Sequence, residues 1–303
     1  MNWDVAHQIA AIEAVKAHRD LGVDRNTYVD VYAALLRAGV VGMARPMPRL
    51  FGVYASPQDN GPAVLLNSSL DIVAQRHTAA HELGHHRAGH GTALDEELDR
   101  ARTWGDGSWP DEEKVAEAFA AWFLMPPPAI QAVLARIGVR RPQAPEHAYR
   151  VARWLGTSYA GTVNHLHRLR LVTRAQKTAW LRVKPAAIKA DLAGSAVPGK
   201  AHVHMIDTGA HGATMRVDAG DLVVLGDTRA SFESLPHGLQ APQDATGQLA
   251  LGGHPTTVVA AEVTEAFTGA ASITVPVPGA AELLEFTLER QAPRVGVQNL
   301  WPA

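Results

Sequence analysis

The 303-residue chain contains no cysteine, no long apolar run and no leader-like N-terminus. Without cysteine it forms no disulfide bond and no thiolate metal site, and its composition suits a reducing compartment. Because no run of about 18 apolar residues occurs, we expect no membrane-spanning helix. Residues Met1–Asp4 supply neither a basic segment nor a continuous apolar one, so we expect no signal peptide. Together these absences predict a soluble, cytoplasmic protein.

Charge is nearly balanced over the whole chain, with a formal net charge of -2, but it is unevenly distributed. Between Arg136 and Lys189 the only acidic residue is Glu146, whereas arginine and lysine are frequent there. The last third of the chain is mostly acidic. The basic stretch is therefore the region whose charge suits contact with phosphate groups.

The most informative motif is His81-Glu82-Leu83-Gly84-His85, which matches the pattern H-E-x-x-H. On an α-helix, residues four positions apart share one face, so His81 and His85 can bind the same metal ion. Glu82 then lies beside the metal, where it can accept a proton from water. Gly84 weakens a helix by roughly 1 kcal/mol, so we expect it to permit the close approach of another element.

A catalytic zinc site of this kind needs a third protein ligand. The pattern with a third histidine ten residues after the first is excluded, because that position is glycine and His90 lies one residue short. The remaining solution is an acid from a later helix. Residues 111–126 begin with acids, continue with mostly apolar residues and lead into three consecutive prolines, and this pattern predicts such a helix. On it Glu113 lies beside the apolar stripe and is favoured, while Glu112 and Glu117 are the alternatives.

These two segments resemble the ImmA/IrrE family of zinc metallopeptidases. The resemblance depends on H-T-A-A-H-E-L-G-H-H at residues 77–86 and on E-x-x-A-x-x-F-A-A-x-x-L-M-P at residues 113–126, and it covers roughly the first 175 residues. It implies that His81, His85 and Glu113 bind zinc and that Glu82 is the catalytic base. It also implies cleavage of a helix-turn-helix repressor in the cytoplasm, which relieves repression of mobile-element or stress-response genes.

The region before the motif is predicted to form two helices and then a small antiparallel sheet. Apolar residues recur at helical spacing through residues 4–40, with a break near Gly22. Leu50–Tyr54 and Ala63–Asn67 flank a turn-rich loop and are interpreted as strands. Ala63–Asn67 is a candidate for an edge strand that pairs with an extended substrate, or for an ordinary core strand. The apolar positions of the first helix are Val5, Ile9, Ile12 and Val15.

Residues 136–184 are basic and have a helical pattern. The pattern predicts a helix at Pro145–Leu155, a turn that contains Gly156, and a second helix at Tyr159–Leu169. This is the order of a helix-turn-helix motif. A basic second helix suits contacts with DNA phosphates, so DNA binding is a possible second role. The same residues also suit a helical spacer or a surface that docks a protein substrate.

Beyond residue 185 the pattern changes from helical to strand-like. Pro185–Lys200 is interpreted as a linker because it is rich in glycine, proline and serine near its end. Short apolar runs about ten residues apart then predict a β-sandwich or barrel. His202 and His204 alternate along one strand and are expected to be a surface pair rather than metal ligands. The predicted strands are His202–Ile206, Ala213–Val217, Leu222–Leu225, Gln248–Leu251, Thr256–Val263, Ile273–Val277 and Leu283–Leu288.

The predicted fold class is α+β. A mainly helical, zincin-like metallopeptidase domain with a small antiparallel sheet is expected at residues 1–135. A helix-turn-helix-like segment at residues 136–184 and an all-β regulatory or recognition domain at residues 185–303 are expected to follow. The predicted function is a zinc-dependent endopeptidase that acts on a transcriptional repressor. The alternative is a DNA- or repressor-binding regulator whose zinc site is not catalytic.

Overall fold

The computed structural model describes residues 1–96, 109–227, 230–232, 234–242, 260–277, 283–291 and 293–294. In these residues the chain has a mixed α/β fold with nine α-helices and several small sheets. It forms two compact units. Among the described residues, the first unit takes in 1–130 and 155–161 with Pro293 and Arg294, and the second takes in most of the remainder. The expected division at residues 135 and 184 stays a prediction.

The first two helices begin at side-chain caps. Helix α1 (Trp3–Asp20) starts after Asn2, whose side chain accepts a hydrogen bond from the backbone of the first turn. Helix α2 (Val31–Arg37) starts after Asp30, whose carboxylate accepts two such bonds. The break between them contains Gly22, so the predicted pair of helices is confirmed.

The sheet of the first unit has the strand order β1-β3-β2-β4. Strand β1 (Val41–Arg45) runs parallel to β3 (Ala63–Asn67), and β2 (Leu50–Ala55) runs antiparallel to β3 and to β4 (Ala93–Glu96). The two predicted strands, β2 and β3, pair antiparallel as expected, but the parallel pairing of β1 with β3 makes the sheet mixed rather than wholly antiparallel. Ala63–Asn67 lies inside the sheet between two partners, so it is a core strand and cannot accept an added substrate strand.

The two helices singled out by motif lie next to each other. Helix α3 (Ile72–Ala88) begins after Asp71, whose carboxylate caps the first turn, and ends at Gly89 in the left-handed conformation. Helix α4 (Asp111–Leu124) has three acids in its first turn and ends before the prolines, as predicted. Both contribute to the apolar core of the first unit. No single described helix is long and apolar enough to span a membrane.

Helix α1 packs its small residues inward and leaves its larger apolar residues outside. Four alanines on one face are at most 2% exposed, whereas the large apolar residues of the predicted pattern are 38–57% exposed. Alanine allows α1 to lie close against α4, with which it has extensive contacts. The buried alanines are Ala6, Ala10, Ala14 and Ala17, and the exposed residues are Val5, Ile9, Ile12 and Val15.

Arg76 fixes α3 to two other segments of the first unit. Its side chain is 1% exposed and donates hydrogen bonds to the carbonyl oxygens of Val29, Leu155 and Gly156. The guanidinium also lies over the Tyr28 ring, 3.8 Å from its centroid. These contacts place the turn at Gly156 in the first unit and hold the N-terminal half of α3 in place.

The helical part of the second unit is longer than predicted. Pro185–Ala193 is a helix rather than a linker, because Pro185 suits the first helical turn and Gly194 ends the helix in the left-handed conformation. Helices on either side of Gly156 are present, but a helix-turn-helix function stays a prediction. The helices that follow α4 along the chain, some of which include residues of both units, are α5 (Pro127–Arg136), α6 (Pro145–Leu155), α7 (Tyr159–Arg168), α8 (Arg174–Leu181) and α9 (Pro185–Ala193).

Two further sheets lie in the second unit, with strand orders β10-β11-β6 and β5-β7-β9-β8. Each contains one parallel pair, β11 with β6 and β5 with β7. Gln248–Leu251 and residues 256–259 lie outside the described residues, and the expected all-β domain stays a prediction. The strands are β5 (Val203–Ile206), β6 (Thr214–Val217), β7 (Leu222–Leu225), β8 (Leu239–Gln240), β9 (Ala260–Val263), β10 (Ala270–Val275) and β11 (Leu284–Arg290).

Candidate metal centre

Helix α3 brings His81 and His85 together on one buried face. The two side chains are separated by one turn and are 3% and 1% exposed. Their Nε2 atoms lie 3.1 Å apart, and their ring centroids lie 4.9 Å apart. Two imidazole nitrogens that point at the same small volume are the arrangement that a shared metal ion requires.

Glu113 completes the cluster from the first turn of α4. Its Oε2 atom lies 3.1 Å from His81 Nε2, and its Oε1 atom lies 3.4 Å from His85 Nε2. One ligand atom from each of the three residues lies within 4.8 Å of the others. The expected ligands thus converge, and the donor set of two nitrogens and one carboxylate oxygen fits a catalytic metal site with an open position.

The charge states of the cluster agree with metal binding. Burial alone would raise the pKa of Glu113, but hydrogen bonds from His81 and His85 lower it below its usual range. Burial lowers the pKa of His85. A charged carboxylate and a neutral imidazole are the forms in which these side chains bind metals.

The two alternative acids lie elsewhere. Glu112 is exposed at the surface of α4, and it is not among the residues that converge with the histidines. Glu117 is buried one turn after Glu113, but its Oε2 atom lies 3.5 Å from His81 Nδ1, the nitrogen on the far side of the ring. The same oxygen lies 2.9 Å from His77 Nε2. The geometry therefore supports Glu113 as the third ligand, an assignment that stays a prediction.

Glu82 is fully buried beneath strand β2. At Gly52 of this strand, a Cβ atom would lie only 2.5 Å from Glu82 Oε1 and 2.5 Å from Thr78 Cγ2. Any larger residue at this position would force Glu82 and Thr78 to shift, so glycine lets the strand backbone pass close to the expected catalytic base. Sequence reasoning missed Gly52, although a glycine inside an apolar strand pattern is a signal of close backbone approach.

Gly84 has the packing role expected of it. A Cβ atom at this position would lie 3.0 Å from Ala116 Cα and 3.1 Å from Phe119 Cδ1. The glycine thus lets α4 approach α3 closely enough for Glu113 to reach both histidines. The prediction that Gly84 permits close approach of another element is confirmed.

The spare histidines near the motif contact other groups. His86 Nδ1 lies 3.0 Å from the Tyr54 hydroxyl, on a different side of α3. His90 Nδ1 lies 3.0 Å from His85 Nδ1, so it faces the rear of a ligand ring. The contacts of His77 and His90 were not predicted, although His77 precedes His81 by one helical turn on the same face.

Comparison with protein families gives one match. Residues 47–156 match the family model of the IrrE N-terminal-like domain, Peptidase_M78. The matched segment contains β2 and β3, α3 with its H-E-x-x-H motif, and α4 with Glu113. A search of curated proteins found no match to this chain.

Proposed function

Since the chain carries an IrrE N-terminal-like domain and thereby belongs to the ImmA/IrrE peptidases, we propose that it is a zinc-dependent endopeptidase. Zinc would be held by His81, His85 and Glu113, in the His₂Glu arrangement of catalytic zinc sites. The observation that carries this proposal is the convergence of these three side chains within 4.8 Å. Two of the three are nearly inaccessible to solvent, so their orientation is set by packing.

Peptide hydrolysis needs an activated water, a polarised carbonyl and a proton for the leaving amine. Zinc at this site would supply Lewis acidity and lower the pKa of a water molecule toward neutrality. Glu82 is the residue proposed to take the proton from the attacking water and to return it to the amine nitrogen. Its burial beneath Gly52 holds the carboxylate in a fixed position, as a general base requires.

The proposed substrate is a helix-turn-helix transcriptional repressor, and the proposed compartment is the cytoplasm. Cleavage would relieve repression of stress-response or mobile-element genes. Family membership supports this choice. The lack of cysteine is compatible with a reducing compartment.

The contacts of the basic segment weaken the alternative proposal of a DNA-binding regulator. Arg150 of α6 is paired with Asp207, and Arg153 is only 7% exposed and lies over the Tyr149 ring. Two of the basic side chains that motivated this alternative are therefore engaged within the protein rather than presented to a phosphate backbone.

The decisive test compares wild type with Glu82→Gln. Zinc per chain is measured by mass spectrometry, and cleavage of purified helix-turn-helix repressors from the same cell is followed by intact-mass analysis. We expect one zinc in both proteins and a rate lower by roughly 10²- to 10⁴-fold in the variant, the usual contribution of a general base. Equal cleavage by the variant contradicts the mechanism, and absence of zinc from the wild type contradicts the site.

A further inference from the structure

His81 differs from a simple ligand because both of its ring nitrogens face a carboxylate. Nε2 lies 3.1 Å from Glu113, in the cluster, whereas Nδ1 lies 3.5 Å from Glu117 Oε2 on the opposite side of the ring. The Nδ1 distance is longer than that of an ordinary hydrogen bond and falls within ion-pair range. Glu117 belongs to α4 and follows Glu113 by one turn, so two successive turns of α4 enclose the His81 ring.

The chemistry of imidazole gives Glu117 a specific task. A neutral histidine that binds a metal through Nε2 carries its proton on Nδ1, and that N–H needs an acceptor when it is buried. Glu117 Oε2 is the carboxylate oxygen that faces this nitrogen. Such an acceptor fixes the tautomer and orientation of the ring and strengthens the ligand nitrogen as a donor.

His77 holds Glu117 from the other side. Its Nε2 atom lies 2.9 Å from the same Oε2 atom, and its side chain is 44% exposed. Glu117 itself is 8% exposed, and a buried carboxylate is costly unless it is paired and hydrogen-bonded. His77, one helical turn before His81, provides this pairing and restricts the carboxylate to one position.

We propose that Glu117, oriented by His77, is a positioning residue that aligns His81 for metal binding. The proposal rests on the proposed zinc site and extends it by one layer of residues. It assigns the second buried acid of α4 to the rear of a ligand ring, and not to the metal itself. It also explains why a third histidine, His77, occupies the same face of α3 as the two ligands.

The test measures zinc dissociation constants by competition with a chromogenic chelator for five proteins. They are wild type, Glu117→Ala, Glu117→Gln, His77→Ala and the control Glu112→Gln, an exposed acid on the same helix. We expect Glu117→Ala to weaken binding by about 10- to 100-fold, the usual cost of losing an outer-shell partner. Glu117→Gln keeps an oxygen acceptor and should recover part of the loss, His77→Ala should show a smaller loss, and the control should match wild type.

Cobalt substitution provides a second readout that a merely structural role would not change. The visible spectrum of bound Co²⁺ reports ligand geometry, so Glu117→Ala should shift it, whereas Glu112→Gln should leave it unaltered. Thermal melting of the metal-free proteins identifies any variant that fails to fold. If Glu117→Ala does not fold, His77→Ala carries the test, because its side chain is nearly half exposed.

The possible results separate the two proposals. If wild type binds zinc and the folded Glu117 and His77 variants bind it equally tightly with the same cobalt spectrum, the positioning role is overturned and the peptidase proposal stands. If wild type binds no zinc, the metal site itself fails, and the positioning role fails with it. Weaker binding in Glu117→Ala with partial recovery in Glu117→Gln supports the positioning role.

Discussion

Each compact unit buries a histidine beside a carboxylate, but the two arrangements differ in where their polar atoms point. In the first unit, His81, His85 and Glu113 direct ligand atoms at one another across 3.1 to 3.4 Å. In the second, His204 Nε2 lies 2.8 Å from Asp221 Oδ2, and both side chains are buried. Contrary to the sequence-based expectation of a surface pair, His204 is only 2% exposed.

The second arrangement is saturated by backbone donors. Asp221 Oδ1 accepts a hydrogen bond from the backbone N–H of His202, and Oδ2 accepts one from the backbone N–H of Asp218. These bonds tie the segment before β5 to the turn before β7. A carboxylate whose bonds go to the backbone has a structural role, whereas side-chain atoms that converge on one volume are arranged for a ligand.

The largest expected effect on zinc affinity comes from removing a carboxylate from the first arrangement, and the matching change in the second arrangement serves as the comparison. Glu113→Ala should weaken zinc binding by more than the roughly 100-fold cost of an outer-shell change, because it deletes a direct ligand. Asp221→Asn should leave zinc binding unchanged and lower the free energy of unfolding by about 1–3 kcal/mol, the cost of disturbing buried hydrogen bonds. Chelator competition and urea unfolding of the metal-free proteins measure the two effects. A loss of zinc affinity in Asp221→Asn would contradict the conclusion that only the first arrangement is a ligand site.

Gly84→Ala tests whether the first arrangement depends on helix spacing. The added Cβ would meet Ala116 Cα at 3.0 Å, and backbone atoms of α4 cannot move aside without carrying Glu113 with them. Zinc affinity should fall by roughly tenfold, the lower end of the range for indirect changes at metal sites. The free energy of unfolding should change less, since alanine favours the helix by about 1 kcal/mol.

Gly199→Ala is the matched control, because its Cβ meets nothing within 4 Å. Unchanged affinity in Gly84→Ala would show that the helices separate without cost to the site.

Local spacing was enough to predict which side chains converge. Four-residue periodicity placed His81 and His85 on one face, and the acids and prolines around α4 marked its two ends. Glu113 was favoured over Glu112 because it bordered the apolar stripe, and it is the acid that reaches both histidines. The spacing within each helix and the positions of its ends depend on residues within one or two turns, which a sequence pattern records directly.

Features set by distant contacts could not be predicted in the same way. The buried face of α1 was not predicted, because alanine is only weakly apolar and its burial depends on how closely α4 approaches. Ala63–Asn67 is interior because β1, more than twenty residues earlier, pairs with it in parallel. The role of Glu117 also needed the structure, since spacing alone does not show which nitrogen of His81 it faces. In each case the deciding partner is remote in sequence.

A pH dependence of stability is expected in the second arrangement. Burial, followed by the positive charge of Arg153, lowers the pKa of His202 to about 3, while Asp221 acts in the opposite direction. His204 and Lys189 are the other charged or titratable neighbours, and both oppose protonation. His202 therefore stays neutral in the folded protein at pH values where the unfolded chain, with a pKa near 6.5, takes up a proton. Its contribution to stability is fully present above pH 6.5 and is lost as the pH falls toward 3.

His202→Gln removes this titration and keeps a polar side chain of similar size. Both proteins are unfolded with urea in the presence of a chelator that removes metal. Between pH 7 and pH 5, the urea concentration at the midpoint should fall more for wild type than for His202→Gln, because only wild type gains a proton on unfolding at this position. The difference between the two proteins cancels the contribution of His81 and His85, which is common to both. Equal pH dependence in both proteins would mean that His202 takes up a proton in the folded protein as readily as in the unfolded chain, and that its burial does not keep it neutral.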